Sequence, residues 1–131
     1  MELTDYVSYP LALSLKKVGF DELCDHYYCA FDNETDVRFW SIHPAQSQNG
    51  FVNPDGKVIA DAPSLYAAQK WLREKMRISI RVNYIFDGKR WFADLLNLDS
   101  EEYEDIDESY LTYEDALSTG IYAACNALTT K

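Results

Sequence analysis

The sequence predicts an α+β fold in which a mainly antiparallel sheet, made of two hairpins, packs with three helices. Three segments place a hydroxyl residue four positions before an alanine, as at a helix start. Between these starts lie two pairs of β-forming segments, each pair joined by turn-forming residues. The order α-ββ-loop-α-ββ-α favours α+β over alternating parallel units. A chain of 131 residues is expected to form a single domain, residues 1–131.

The first helix is predicted to begin at Ser8, whose hydroxyl can accept a hydrogen bond from a free N–H of the first turn. Leu11, Leu15 and Val18 then recur at helical spacing and form one apolar face. Gly19 suits the left-handed conformation that ends many helices, so the helix is expected to stop there.

The first hairpin is predicted from residues 26–31 and 37–42, which are β-forming and flank the turn-forming residues 32–35. Residues 43–62 are rich in Pro, Gly, Asn and Gln, which predicts a long loop with a tight turn at residues 53–56 and short strands around Phe51 and Val58. A loop of that length in a small domain is functional or mobile, so His43 is a possible site residue if the loop walls a pocket.

The second helix is predicted to begin at Ser64 and to carry four cations in residues 70–77, near the end where the helix dipole favours them. Its buried stripe is expected to consist of Leu65, Ala68, Leu72 and Met76, with Trp71 beside it.

The second hairpin is predicted from two alternating segments joined at Asp87-Gly88, a favoured two-residue turn. One register places apolar residues in pairs on the core face: Ile80 with Leu95, Val82 with Ala93, and Tyr84 with Trp91. The same register places Arg81 opposite Asp94 on the other face, as a cross-strand ion pair. Because one register suits both faces, it is strongly specified.

An acidic run separates the second hairpin from the third helix and is predicted to be a loop. Its seven carboxylates lie within ten residues: Asp99, Glu101, Glu102, Glu104, Asp105, Asp107 and Glu108. The third helix is predicted to begin at Thr112. Ala116, Gly120 and Ala124 follow at four-residue spacing, so this helix is expected to approach another element closely.

The acidic run has three interpretations. It is a solvated loop, a calcium site, or a docking surface for a basic partner. The chain's own residues 70–77 could be that partner. An EF-hand loop needs glycine at its sixth position, and counting from Asp99 that position is Glu104. The possible partner-binding residues are therefore the seven carboxylates, while Tyr27, Tyr28 and Trp40 form a candidate aromatic interface.

Composition excludes several classes of function. The net charge of −10 argues against direct nucleic acid binding, which needs clustered cations. No apolar run approaches the roughly 18 residues that a membrane helix requires. The N-terminus resembles no export signal, and three cysteines suit a reducing compartment, so a cytoplasmic location is expected.

Catalytic and cofactor motifs are not evident. Cys24, His26 and Cys29 are irregularly spaced for zinc and need a distant fourth ligand, so no metal or other cofactor is expected. A cysteine nucleophile at Cys24, Cys29 or Cys125 with a histidine base is possible on residue types alone. No phosphate-binding loop is present, because the Asp-Gly-Lys sequences lack the required glycine spacing.

Residues 8–21 resemble the opening of a family of small uncharacterised proteins carried by bacterial phages and prophages. Residues 62–64, 68–73 and 112–117 resemble further segments of those proteins. The resemblance implies a bacterial or prophage origin and makes a metabolic enzyme less expected. It transfers no catalytic residue to this sequence.

The function expected from these observations is that of a non-catalytic cytosolic phage-type accessory or protein-interaction domain, acting on a protein partner or as a homodimer. One alternative is an acidic inhibitor that mimics nucleic acid, although removing the acidic run from the net charge of −10 leaves only −3. The other alternative is a small cysteine-dependent enzyme.

Overall fold

Three α-helices and six β-strands follow one another in the computed structural model, which describes residues 3–31, 36–41 and 57–130. A short 3-10 helix, Leu3–Asp5, precedes them. The helices are α1 (Tyr9–Lys17), α2 (Leu65–Lys75) and α3 (Tyr113–Thr129). The strands are β1 (His26–Phe31), β2 (Asp36–Ser41), β3 (Lys57–Asp61), β4 (Ile78–Ile85), β5 (Arg90–Asn97) and β6 (Tyr103–Asp105).

The strands form two antiparallel three-stranded sheets, in the orders β2-β1-β3 and β4-β5-β6. The predicted α+β class with antiparallel pairing is therefore confirmed. The two hairpins belong to separate sheets, and each acquires a third strand. β3 contains Val58, where a short strand was predicted, whereas β6 lies in the acidic run, which was predicted to be a loop.

The short strand predicted around Val58 is confirmed, whereas the prediction that the acidic run is a loop throughout was wrong. β3 lies within the predicted loop 43–62, while residues 43–56, with His43, lie outside the described residues. β6 lies within the acidic run. Carboxylates are poor strand formers, and β6 forms because its backbone pairs with β5 over three residues.

The three predicted helix starts are confirmed by their capping bonds. The hydroxyl oxygens of Ser8, Ser64 and Thr112 accept backbone N–H groups three residues ahead, at 3.4, 3.1 and 3.1 Å. Each bond satisfies a first-turn donor that has no partner within its helix. The end of α1 is also as predicted, because Gly19 adopts a φ of 92°. Phe20 N–H donates to the carbonyl of Leu15 at 3.0 Å, completing a Schellman motif.

The register of the second hairpin is confirmed across all eight pairs of β4 and β5, including Ile80 with Leu95 and Arg81 with Asp94. The turn type is not as predicted. A two-residue turn of the favoured type needs positive φ at both Asp87 and Gly88. Here the left-handed residue is Lys89, with a φ of 52°, so the reversal takes four residues between the strands.

One apolar core joins both sheets and all three helices. α3 packs across β4 and β5 and also contacts α1 and α2. The predicted small-residue stripe makes this approach possible, because Ala116, Gly120 and Ala124 are buried. A Cβ placed on Gly120 would lie 2.5 Å from Ile80 Cγ2, so only glycine fits at this contact.

Candidate functional site

A cavity of about 750 Å³ opens where the second sheet meets the C-terminal end of α3. β4, β5, β6, α3, the turn between β5 and β6, and the residue that caps the C-terminal end of α2 contribute to its walls. They supply Met76, Ile78, Leu95, Asn97, Asp99, Ser100, Glu102, Tyr103, Glu104, Ala127 and Leu128. The cavity therefore combines an apolar floor with a polar and acidic rim.

The floor is the end of the hydrophobic core. Ile78 and Leu95 are buried in that core and reach the cavity from β4 and β5. Met76, the C-cap of α2, and Leu128 of α3 pack against the same core. Because these side chains are held by packing on several elements, the floor is shaped before any ligand arrives.

The rim is built by the turn that joins β5 to β6. Asn97 Oδ1 accepts the backbone N–H groups of Asp99 at 2.9 Å and Ser100 at 3.0 Å. The N–H of Glu101 donates to the carbonyl of Asn97 at 2.8 Å, and Glu101 adopts a φ of 63°. This asparagine-based turn places Asp99 and Glu102 on the cavity rim.

One cation of the chain already contacts the rim. Arg77 Nε lies 3.1 Å from Asp99 Oδ1, with side chains 52% and 70% exposed. This ion pair joins residues 70–77 to the acidic run at one position. Glu102 and Glu104 also lie on the rim and are exposed to solvent.

The structure does not bring the whole acidic run together. Only Asp99, Glu102 and Glu104 line the cavity. Asp105 accepts the hydroxyl of Tyr103 at 2.5 Å, and Glu108 accepts the hydroxyl of Tyr110 at 2.9 Å. Glu101 and Asp107 are exposed and do not line the cavity. The seven predicted residues therefore divide between the cavity and other surroundings.

A polar cluster covers the opposite face of the second sheet. Asp94 is only 1% exposed and accepts Arg81 Nε at 2.8 Å, which confirms the predicted ion pair. Asn83 Nδ2 donates to Asp94 at 2.8 Å, and the hydroxyl of Tyr103 also donates to Asp94, at 3.3 Å. The hydrogen bond to Asp94 raises the pKa of Arg81. Each charge of the cluster has a partner, so the cluster fastens β4, β5 and β6 together.

The fold raises the pKa of all three cysteines. Burial, with neighbouring carboxylates led by Asp61, raises the pKa of Cys24 to about 12. Burial raises the pKa of Cys125 to about 11 and also raises the pKa of Cys29. Because the thiolate is the reactive form, these shifts do not favour the cysteine-dependent alternative near neutral pH.

Within residues 3–31, 36–41 and 57–130, no group of three His, Cys, Asp or Glu side chains is arranged to hold a metal ion. His26 Nδ1 lies 2.8 Å from Asp25 Oδ1, and its ring stacks on Phe39 with centroids 5.0 Å apart. His26 is therefore engaged at the start of β1, the central strand of the first sheet, while Cys29 is buried on the opposite side of β1.

Of the three aromatic residues that the sequence indicated, only Trp40 is exposed, at 38%. Tyr27 is buried, and the hydroxyl of Tyr28 donates to the carbonyl of Val7 at 2.7 Å. Phe86, at the tip of the second hairpin, is instead 87% exposed and contacts the ring of Tyr84. The sequence signal for this exposed pair was that Phe86 lies beside the turn and two residues after Tyr84, so that both side chains share one side of the strand.

Sequence patterning did not indicate the floor of the cavity, because its residues match ordinary core positions. None of the helices in the described ranges is long and apolar enough to cross a membrane. Comparisons with known protein families, curated proteins and solved structures give no match to this chain. The candidate site therefore depends on its own geometry and charge.

Proposed function

We propose that this chain is a non-catalytic protein-interaction domain that binds a basic partner at the acidic-rimmed cavity. The observation that supports the proposal is the juxtaposition of the apolar floor at Ile78 and Leu95 with the carboxylates of Glu102 and Glu104. An apolar side chain can fill the cavity while a neighbouring lysine or arginine meets the rim. The raised pKa of each cysteine gives no support to an acyl-transfer or redox activity.

The two parts of the cavity make different contributions to binding. Burial of one aliphatic side chain on the floor stabilises a complex by about 1.5–3 kcal/mol. Each exposed ion pair on the rim contributes about 0.2–1 kcal/mol and weakens with salt. The floor therefore supplies most of the affinity, and the rim selects a cationic partner over an anionic one.

The test is a titration of the protein with two synthetic peptides, followed by backbone amide NMR. One peptide contains lysine and leucine, and its control has glutamate at every lysine. We expect the basic peptide to shift the amide signals of Leu95, Asn97 and Leu128 and the acidic peptide to leave them unchanged. Binding of both peptides with equal affinity would contradict charge selection at the rim.

A variant pair tests whether the cavity is the site. Replacing Glu102 and Glu104 with glutamine should weaken binding of the basic peptide about two- to thirtyfold, from two exposed ion pairs. Asp107→Asn removes a charge from the same acidic run but does not line the cavity. It should change the affinity much less. Equal effects would assign the attraction to net charge and not to this cavity.

The phage-type origin and the cytosolic location belong to the same proposal. Their support is the resemblance of residues 8–21 to phage and prophage proteins and the cysteines Cys24, Cys29 and Cys125, which form no disulfide. The check is the position of the gene, which should lie among phage genes. A gene within a metabolic operon would contradict the proposal.

A further inference from the structure

β6 is the outer strand of the second sheet, and two hydrogen bonds define which of its residues face β5. Asn97 N–H donates to the carbonyl of Glu102 at 2.9 Å, and Ile106 N–H donates to the carbonyl of Ala93 at 3.1 Å. Along an antiparallel strand, the backbone groups of successive residues alternately bond to the neighbouring strand and point away from it. The even-numbered residues 102–106 are therefore those whose backbone groups bond to β5.

The odd-numbered residues present their backbone to the open edge. The N–H and carbonyl groups of Tyr103 and Asp105 point away from β5, and in the described part of the chain β6 ends the order β4-β5-β6. Both residues are exposed. An exposed edge of this kind is a template for pairing with a further strand.

The side chains of β6 place a carboxylate on each face of the sheet beside that edge. Glu104 lines the cavity. Asp105 points to the opposite face, because successive side chains alternate, and there it accepts the hydroxyl of Tyr103. A strand added to β6 would bring one side chain next to Glu104 and the following one next to Asp105. Consecutive cationic residues match this arrangement on both faces.

We infer that the basic partner binds as an extended segment that adds to β6 as a fourth strand. A lysine or arginine lies beside Glu104, the next beside Asp105, and an apolar side chain of the segment enters the cavity. This inference rests on the proposed function, because it uses the same cavity. The backbone of Tyr103 and Asp105 sets the register of the segment, while the cavity and carboxylates select its side chains.

The test uses a short peptide with a central Lys-Lys pair flanked by valines, in two forms. One form is unmodified, and the other carries N-methyl groups at the backbone nitrogens that would face β6. We expect the unmodified peptide to bind and N-methylation to weaken it by ~10-fold or more, because it removes edge hydrogen bonds. Equal affinity of the two forms, with signals of Leu95 and Leu128 still shifted, overturns strand addition and leaves the proposed function standing.

A variant of the protein tests the same edge without a change to the peptide. Asp105→Pro removes an N–H that points to the open edge and leaves the bonds of Glu104 to β5 in place. Asp105→Asn is its matched control, since it removes the charge alone. We expect Asp105→Pro to weaken the unmodified peptide several-fold more than Asp105→Asn does. Equal effects overturn the inference.

The outcomes separate the two proposals. Failure of every basic peptide to bind, methylated or not, overturns the proposed function and this inference with it. Binding as a helix, seen from the amide signals of a labelled peptide, overturns strand addition alone. If Asp105→Pro loses the amide signals of β4 and β5, the methylated peptide on the unaltered protein still decides the question.

Discussion

Individual residues adopt strained conformations near the cavity. Arg77 and Glu101 have φ values of 61° and 63°, a left-handed region in which a side chain costs about 1–2 kcal/mol. Arg77 directly follows α2, at the position where glycine usually ends a helix. Both positions beside the rim therefore carry a charged side chain, although glycine would adopt the left-handed backbone conformation at lower cost.

Arg77→Gly should raise the free energy of unfolding by up to about 1 kcal/mol. Relief of the left-handed strain stabilises the fold by about 1 kcal/mol. Loss of the exposed ion pair with Asp99 costs about 0.2–1 kcal/mol, and salt reduces that cost. Urea denaturation at low and moderate salt measures the difference, with the larger gain expected at moderate salt.

Arg77→Ala is the control for this change, because it removes the same ion pair and retains a Cβ in the left-handed conformation. It should be no more stable than the original protein. An alanine variant as stable as the glycine variant would show that strain at Arg77 does not limit stability. Both variants also leave Asp99 without its internal cation, so both should bind the basic lysine-leucine peptide more tightly.

At the scale of elements, the packing of α3 on the second sheet positions the cavity. Its close approach depends on Gly120, which faces Ile80 and Ala93. The end of the same helix supplies Leu128 to the cavity floor. A shift of α3 away from β4 and β5 would therefore change the shape of the floor as well as the core.

Gly120→Ala should lower the free energy of unfolding by about 1–2 kcal/mol. The new Cβ would lie 2.5 Å from Ile80 Cγ2, a branched methyl group that cannot rotate away freely. Overpacking costs about 1–3 kcal/mol, and a contact of 2.5 Å places this cost in the upper part of that range, at about 2–3 kcal/mol. The helix-propensity gain of about 1 kcal/mol offsets part of it. Urea denaturation monitored by circular dichroism measures the change.

The same substitution in an Ile80→Ala background identifies the cause. Ile80→Ala removes the methyl group at 2.5 Å, although the contact with Ala93 at 3.2 Å remains. The cost of Gly120→Ala should then fall to near zero, which is the non-additivity expected of residues in contact. An equal cost in both backgrounds would rule out a steric origin at Ile80.

At the scale of the whole molecule, several weak acids hold their protons more tightly in the fold than in a free chain. Burial raises the pKa of Cys24 to about 12 and that of Cys125 to about 11. Burial and a hydrogen bond to Glu114 raise the pKa of Tyr66 to about 12. A hydrogen bond to Asp105, followed by burial, raises the pKa of Tyr103 to about 12.

The fold should therefore lose stability as the pH rises from about 9 to about 12. Between the ordinary values, 9.0 for Cys and 10.0 for Tyr, and the raised values, the folded state binds more protons than the unfolded state. The stabilisation is complete below the ordinary values and is lost as the pH passes through the raised ones. Thermal melts by circular dichroism across this range measure the loss.

A double Tyr66→Phe, Tyr103→Phe variant separates the tyrosines from the cysteines. Its melting temperature should fall less steeply than that of the original protein above the ordinary tyrosine pKa of 10.0. The fall associated with Cys24 and Cys125 should remain. A melting temperature of the original protein that is constant through the alkaline range would contradict the linkage.

The amino-acid sequence by itself determined the local parts of this fold. The caps at Ser8, Ser64 and Thr112, the stop at Gly19 and the Arg81–Asp94 pairing were all predictable. Each depends on residues a few positions apart or on the two-residue alternation of a strand. Such interactions leave a pattern in the sequence because their geometry repeats with a fixed period.

Only the tertiary structure decided the strand in the acidic run, the partner of β3, the position of the cavity and the division of the acidic run. β6 forms because β5 offers backbone partners, and β3 pairs with β1, and no local pattern encodes either pairing. The cavity forms where Met76, Leu95 and Leu128 meet from separate elements. Contacts between distant segments depend on how the helices and sheets pack, and packing leaves no periodic signal in a single sequence.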